Sequence, residues 1–296
     1  MTLDPDVASS DATPNLFAPR RSRLLSGRRG LVAASVSSVI VFGALFAVLF
    51  ATSGGATLRA DFFSPHQMWL AWTGDPRLGL LAIRDGIFTN VWMFLLSEVL
   101  VLSFGLVIAW IRITQSSVLL PFRMMATAYT DTFRGVPLLL VVMMVGYGLP
   151  ILNFGFLSRQ SPAVYGVMAL TLTYSSYVAE VIRAGIFSVP NGQLLAARSL
   201  GLTQASTMRL VILPQAIRTV IPPLLNDFIS LQKDTALVSV LGAVEVTRAA
   251  QIFQSTVFNE SGLVVAAMFF LVLTIPMTRY TDHLMARDRA RRLVGS

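Results

Sequence analysis

Long apolar runs alternate along this chain with short polar segments that are rich in arginine. The first run, 31–51, is long enough to cross a bilayer core of about 30 Å as a helix. The apolar core of a cleaved signal peptide is usually shorter, about 7–15 residues, so we expect a retained helix. Five further apolar runs follow, at 87–111, 138–152, 163–186, 219–241 and 262–280. The pattern predicts an all-α polytopic membrane protein with about six transmembrane helices.

Two of these runs carry features that complicate a simple span. An amphipathic stretch at 122–134 precedes the third run, and Pro222-Pro223 and Lys233-Asp234 fall inside the fifth. Proline removes a helical hydrogen bond, and ionisable side chains are costly in lipid. We therefore expect the fifth span to be interrupted at both places, as polar transport pathways often are.

The composition excludes several classes of protein. Hydrophobic residues make up 54% of the chain and charged residues 13%, against about 25% charged residues in a soluble domain. Cysteine is absent, which excludes disulfide scaffolds and thiolate metal sites. The two histidines, His66 and His283, are too far apart in sequence to indicate a metal site.

The basic residues indicate the orientation in the membrane. One of the 23 basic residues is Lys233, and the other residues are arginine. If the amino terminus is cytoplasmic, the inner segments hold 17 arginines and the outer segments hold five. This bias predicts that both termini are cytoplasmic. It also makes membrane orientation a better explanation of the +8 net charge than nucleic-acid binding.

The span pattern also divides the chain into segments. We expect a disordered cytoplasmic tail at 1–30, an extracytoplasmic loop at 52–86 and a basic cytoplasmic tail at 286–296. The outer loop contains Trp69 and Trp72, which suit a membrane interface and a short surface helix.

The cytoplasmic loop 188–218 has the pattern helix, glycine turn, helix. A turn at 190–192 precedes a helical segment at 194–200, and Gly201 is a natural helix stop. Thr203 can cap a second helix at 205–213, which we expect Pro214 to end or kink. Such a hairpin suits docking of another protein, and it equally suits resting on the lipid surface.

The same loop resembles the EAA motif of permease subunits in bacterial ABC importers. Ala196-Ala197 are followed after three residues by Gly201, and nine residues later Val211 begins the segment that ends in Leu213-Pro214. Leu195 stands where that family has glutamate, and Val211 where it has isoleucine. The resemblance implies that the ATPase subunit contacts the loop through a set of seven residues: Leu195, Ala196, Ala197, Arg198, Gly201, Leu213 and Pro214.

Four other segments are similar to the polar amino-acid branch of these permeases: 132–137, 179–185, 228–235 and 237–242. The resemblance covers 87–285, a five-span permease core to which the helix at 31–51 is an addition. It implies a permease of the bacterial cytoplasmic membrane that forms the translocation path for an amino acid. The implied partners are a second permease chain, alike or closely related, an extracytoplasmic solute-binding protein and a pair of ATPase subunits.

ATP and Mg²⁺ are expected on those ATPase subunits, and no cofactor on this chain. A phosphate-binding P-loop needs a Gly-Lys-Ser/Thr sequence, and Lys233 has no glycine before it. We therefore expect this chain not to be an enzyme.

Polar and ionisable residues inside spans are functional candidates by default. Glu180 and Arg183 share a helix face, which fits either a local ion pair or a gate contact. For Lys233, an ion pair with an acidic residue of another span is one of the alternatives. Glu98 has Asp227 or Lys233 as possible partners, or is protonated. The candidate residues for the path or gate are Glu98, Glu180, Arg183, Asn226, Asp227, Ser230, Lys233 and Asp234.

Two alternatives compete with the importer interpretation. An ion-coupled secondary transporter would use Glu98, Asp227 and Asp234 as ion-binding carboxylates. However, the spans show no clear internal repeat, and the hairpin would have no task in such a protein. A membrane enzyme would need Glu180 and Asp227 as a catalytic pair, but no supporting histidine or metal-ligand spacing accompanies them.

Overall fold

A computed structural model describes residues 28–114, 116–153 and 155–294, and every regular element in these ranges is helical. The α-helices are α1 (Arg28–Ala51), α2 (Ser53–Phe62), α3 (Pro65–Thr73), α4 (Ile83–Ile113), α5 (Leu120–Gly135), α6 (Leu138–Ile151), α7 (Pro162–Phe187), α8 (Asn191–Ser199), α9 (Gln204–Thr207), α10 (Leu213–Asp234), α11 (Val246–Val257) and α12 (Ser261–Val294). The remaining elements are three 3₁₀ segments, Pro76–Leu78, Gly155–Arg159 and Thr235–Leu241, and one π-helical segment, Met208–Ile212. The all-α prediction is confirmed.

The chain forms two compact units, 1–59 and 60–296. The described part of the first unit consists of α1 and the beginning of α2. Apolar side chains on α1, such as Val39 and Phe42, are exposed, as expected of a helix that faces lipid. Residues 1–27 of the predicted tail at 1–30 lie outside the part of the chain that the structure describes. At the other end of the chain, α12 remains helical as far as Val294.

In the described ranges, three helical stretches are long and apolar enough to cross a membrane: Ile83–Ile113, Gln204–Leu241 and Ser261–Ala286. Two bent pairs bring the number to as many as five. These pairs are Ser35–Val48 with Ser53–Thr73, and α5 with α6, which meet at 109°. The amphipathic stretch that precedes the third predicted run is therefore a separate helix, α5, at a large angle to the apolar helix that follows it.

Helix α7 occupies the fourth predicted run, yet it is not among the helices apolar enough to be recognised as a span. The reason is its central position. Helices α4, α5, α6 and α10 all pack against it, and most of its residues are buried by protein. Its buried face includes Thr173, Ser175 and Ser176, which lower its hydropathy. A helix surrounded by other helices can use small polar residues where a helix facing lipid cannot.

Close packing between helices depends on small residues. A Cβ atom on Gly105 of α4 would lie 2.6 Å from the side chain of Val178 on α7. Met93 and Val101 of α4 join Leu170 of α7 in the main buried cluster. Because lipid is as apolar as these side chains, dispersion contacts at short range stabilise the bundle more than the hydrophobic effect does.

The prolines interrupt the fifth span less than the sequence predicts. Helix α10 continues through Pro222 and Pro223, so the expected break there is wrong. The second expected interruption is present, because the helix changes to 3₁₀ geometry at Thr235, directly after Lys233-Asp234.

Pro214 does not end or kink the second hairpin helix, contrary to our expectation. It lies in the first turn of α10, and the preceding segment Met208–Ile212 is π-helical. The Leu213 N–H donates to the Met208 carbonyl, five residues earlier. This wider turn accommodates the proline ring, which would clash with the carbonyl four residues before it in a regular helix. The helical run from Gln204 to Leu241 is therefore continuous.

A buried polar network joins α4 to the amino end of α11. The Asn90 amide donates to Thr235 Oγ1 at 2.9 Å and to Glu245 Oε2 at 3.1 Å, and its oxygen accepts from the Val246 N–H. Glu245, fully buried, also caps α11 by accepting from the backbone N–H groups of residues 247 and 248. Burial raises the pKa of the Glu245 carboxyl, although these hydrogen bonds oppose the increase.

Candidate coupling loop and translocation path

The helical hairpin of the predicted coupling loop ends its first helix with a Schellman motif. After α8, the Gly201 N–H donates to the Arg198 carbonyl, and the Leu202 N–H donates to the Ala197 carbonyl. Gly201 has φ of +81°, a left-handed conformation that glycine adopts without strain. Thr203 then caps α9, because its Oγ1 accepts from the Ser206 N–H as predicted. The chain therefore reverses sharply between α8 and α9.

The hairpin presents apolar side chains to its surroundings. Leu195 is 65% exposed, Leu200 83% and Leu210 63%. Of the seven residues that the motif implies, Ala197 alone is buried, and Leu195, Ala196, Arg198, Gly201, Leu213 and Pro214 are exposed. Helix α8 packs on α9 and the π-helical segment. Exposed leucines on a rigid hairpin are typical of a protein interface.

The space beside Gly201 is open. A Cβ atom built there would meet no atom of this chain within 4 Å. Within the chain, then, only the left-handed backbone restricts this position to glycine. A partner that approaches the hairpin would find this surface free of side-chain bulk.

Glu180 forms the centre of an ion cluster that connects three helices. Its carboxylate accepts from Arg183 on its own helix at 2.6 Å and from Arg112 of α4 at 2.7 Å. Arg134 of α5 lies 3.8 Å away. The pairing of Glu180 with Arg183 follows from their spacing, but the sequence did not indicate Arg112 or Arg134. They are distant in the chain, and only the packing of α4 and α5 on α7 brings them close.

Replacing Glu180 with glutamine is expected to destabilise the protein, because it leaves three guanidinium groups without a carboxylate. The Glu180 side chain is 18% exposed, so solvent compensates only in part. We expect a loss of about 2–4 kcal/mol and a lower thermal unfolding midpoint in detergent. The control is Asp85→Asn, since Asp85 forms only a surface pair with Arg84. An unfolding midpoint equal to that of the control would contradict a stabilising role of the cluster.

Deeper in the bundle, α4 and α10 carry three carboxylates, those of Glu98, Asp227 and Asp234. Glu98 of α4 is close enough to Asp227 of α10 for their charges to interact. The Tyr174 hydroxyl of α7 donates to Asp234 Oδ2 at 2.6 Å, and it too feels the charge of Asp227. The Oδ2 atom of Asp227 is buried without a hydrogen-bond partner. Tyr174 is thus a partner of Asp234 that the sequence did not reveal.

The remaining candidates do not join these carboxylates through direct contacts. Lys233 is exposed and forms no ion pair with a described residue, so the structure does not show the pairing with another span. Asn226 is exposed and Ser230 is half-buried, one turn apart on α10. No cluster of metal-ligating residues occurs in the described ranges.

A model of one protein family matches residues 102–289, which is more than half of the chain. The family is described as the inner membrane component of binding-protein-dependent transport systems. The chain belongs to this family. The matched residues include α7, the coupling loop and α10, the elements that carry most of the site described above.

Comparisons with individual relatives agree with the family match of this chain. This chain is 40% identical to the probable glutamine ABC transporter permease GlnM of Bacillus subtilis. The match covers 62% of this chain and 82% of the relative. This chain is 36% identical to the arginine transport system permease ArtQ of the same organism, over 66% and 87% of the two chains.

Solved structures match this inner membrane component as well. One, described as an amino acid ABC transporter with histidines, is 35% identical with a TM-score of 0.63, over 69% of this chain and 93% of that one. A methionine ABC transporter, MetNI, is 16% identical with a TM-score of 0.57, which shows the shared fold.

These matches confirm the resemblance to polar amino-acid permeases and place the permease among multi-pass proteins of the cytoplasmic membrane. They do not favour the ion-coupled secondary transporter. The membrane-enzyme alternative also lacks support, since Glu180 is held by arginines and is not paired with Asp227.

Proposed function

We propose that this permease forms the translocation path for a polar amino acid, with both termini in the cytoplasm. ATP hydrolysis in separate ATPase subunits would drive the transport. The observation that carries the proposal is the helical hairpin 191–212, which exposes Leu195, Leu200 and Leu210 and continues directly into α10. The glutamine and arginine permeases among the relatives support the substrate class.

The continuity of α10 suggests how the coupling works. From Leu213 to Asp227 the helix rises about 21 Å at 1.5 Å per residue. When ATP binding closes the ATPase pair, movement of the docked hairpin passes along α10 without a hinge at Pro214 or Pro222. The movement displaces the carboxylates of α10 relative to Glu98 of α4. This displacement is the switch between the outward-open and inward-open states.

The carboxylates provide the chemistry for the substrate. Every free amino acid carries a positive α-amino group, and an acidic site in a low-dielectric environment attracts it. Asp227 is the best candidate, because its buried Oδ2 lacks a hydrogen-bond donor. Glu98, Asp234, Asn226, Ser230 and Lys233 would line the path around it. Glu180 and Arg183 would hold the cytoplasmic ends of α4 and α7 together when the path closes on that side.

Partner capture tests the proposed assembly. We expect the tagged chain, purified in mild detergent from its native membranes, to bring a Walker A ATPase in stoichiometric amount. Leu195→Asp should reduce this recovery at least fivefold, because it places a charge where the exposed leucine meets an apolar groove. Leu195→Glu should retain more of the ATPase than Leu195→Asp does, since glutamate is the family residue at that position.

The control for this capture is Leu78→Asp, since Leu78 is also an exposed leucine, at 53% against 65% for Leu195, and lies in the predicted outer loop. Recovery of the chain alone, with transport driven by an ion gradient in liposomes without ATP, would contradict the importer assembly. Equal ATPase recovery with Leu195→Asp and Leu78→Asp would contradict docking through the hairpin.

A further inference from the structure

An open cavity of about 560 Å³, lined by both charged and apolar residues, lies where the carboxyl end of α4 meets α5. Three guanidinium groups line it, those of Arg112, Arg123 and Arg183, together with the carboxylate of Asp131. Glu180 accepts hydrogen bonds from Arg112 and Arg183 and offsets part of their charge. The three guanidinium groups outnumber the carboxylates of Glu180 and Asp131 by one. The cavity therefore carries one excess positive charge and favours an anion.

Hydrogen-bond donors at this cavity lack acceptors. The Arg112 side chain is 9% exposed, and its Nε atom is buried without a hydrogen-bond partner. The Arg123 guanidinium donates to the Thr114 carbonyl at 3.3 Å and forms no ion pair with a described residue. An anion with several acceptor oxygens, such as a phosphate group, would complete both sets of donors.

The first turn of α5 adds to the positive potential. Leu120, the first residue of this 16-residue helix, lines the cavity, and no side chain caps the helix at Leu119. The amino-terminal end of the helix dipole adds positive potential there, although Pro121 has no N–H and the Leu120 N–H already donates to the Ser117 carbonyl.

The surroundings of the cavity are apolar. Trp110 is 63% exposed near the carboxyl end of α4, Val118 is 83% exposed in the connection to α5, and Met124 is 65% exposed. Tryptophan prefers the membrane interface, and exposed aliphatic groups at this depth lie against acyl chains. Met124 lines the cavity, whereas Trp110 and Val118 do not, so a soluble phosphate would leave these two side chains uncovered and the acyl chains of a lipid would cover them.

We propose that this cavity binds the phosphate headgroup of an anionic phospholipid. Basic pockets between helices at the membrane surface are suited to such headgroups. Because Arg112 and Arg183 also hold Glu180, a bound lipid would join the cluster that connects α4, α5 and α7. The lipid would thus become part of the junction between the membrane and the ends of these helices.

Native mass spectrometry of the detergent-purified chain tests the proposal. The probes are phosphatidylglycerol and phosphatidylcholine with identical acyl chains. We expect the chain to retain phosphatidylglycerol in preference to phosphatidylcholine, and Arg123→Gln to weaken this binding about fivefold, as the loss of one interfacial arginine does. Arg123→Lys should retain most of the binding. Arg279→Gln, an exposed position on α12, removes the same charge away from the cavity and should leave binding unchanged.

Three results would overturn the proposal. Equal retention of the two lipids by the unaltered chain would show that the headgroup charge is not recognised. Equal weakening by Arg123→Gln and Arg279→Gln would indicate net charge instead of a site. Displacement of phosphatidylglycerol by soluble glycerol phosphate at millimolar concentration would show that the cavity takes a free phosphate and does not need a lipid.

Discussion

Gly201→Trp is expected to reduce ATP-driven uptake more than tenfold while leaving the chain folded and inserted. The hairpin surface beside Gly201 is open, and an indole there would block the approach of the ATPase subunit. A Cβ atom at this position would meet no atom of the chain within 4 Å, so the first atom of the new side chain has room. Uptake and ATP hydrolysis would be measured in proteoliposomes that contain the permease, its ATPase and its binding protein.

The matched control is Gly79→Trp. Gly79 also has a left-handed backbone, with φ of +69°, and a Cβ atom there would also meet no atom within 4 Å. Both substitutions therefore carry a similar backbone cost of about 1–2 kcal/mol. Gly79 lies in the predicted outer loop, so Gly79→Trp should retain uptake. Equal uptake in the two variants would contradict the docking role of the hairpin.

Asp227→Asn is expected to lower amino-acid uptake at least tenfold without destabilising the protein. A carboxylate that binds the substrate's ammonium group contributes about 1.5–3 kcal/mol, which corresponds to tenfold or more in affinity. The amide keeps the shape of the side chain and removes the repulsion between Asp227 and Glu98. The measurements are uptake by proteoliposomes and the thermal unfolding midpoint in detergent.

Asp85→Asn serves as the control here too, since Asp85 is exposed in the first turn of α4 and away from the path. Uptake equal to that of the control would show that the Asp227 charge has no part in transport. A fall of several degrees in the unfolding midpoint of Asp227→Asn alone would indicate a structural role instead.

The sequence predicts those features of this fold that depend on local chemistry. The apolar run of α4 can be recognised in the sequence because most of one side of this helix faces lipid. The role of Gly201 can be recognised because a left-handed helix end favours glycine. The pairing of Glu180 with Arg183 also follows from their spacing on one helix.

The features that were missed depend on distant packing. Arg112 and Arg134 reach Glu180 only after three helices assemble, and Tyr174 reaches Asp234 across the contact of α7 with α10. The behaviour of Pro214 depends on a π-helical turn whose formation no local rule of proline predicts. One signal was available for Asn90, because it falls on the buried stripe of α4 that contains Gly86, Met93 and Ser97.

The polar character of α7 has a consequence for how the protein is made. A segment with buried threonines and serines along its length partitions weakly into lipid by itself, and it gains stability once α4 covers it. Helix α4 is synthesised earlier and inserts readily because it is strongly apolar. We therefore expect α7 to enter the bilayer more readily when α4 is already present at the insertion machinery, so that the two helices insert as a pair.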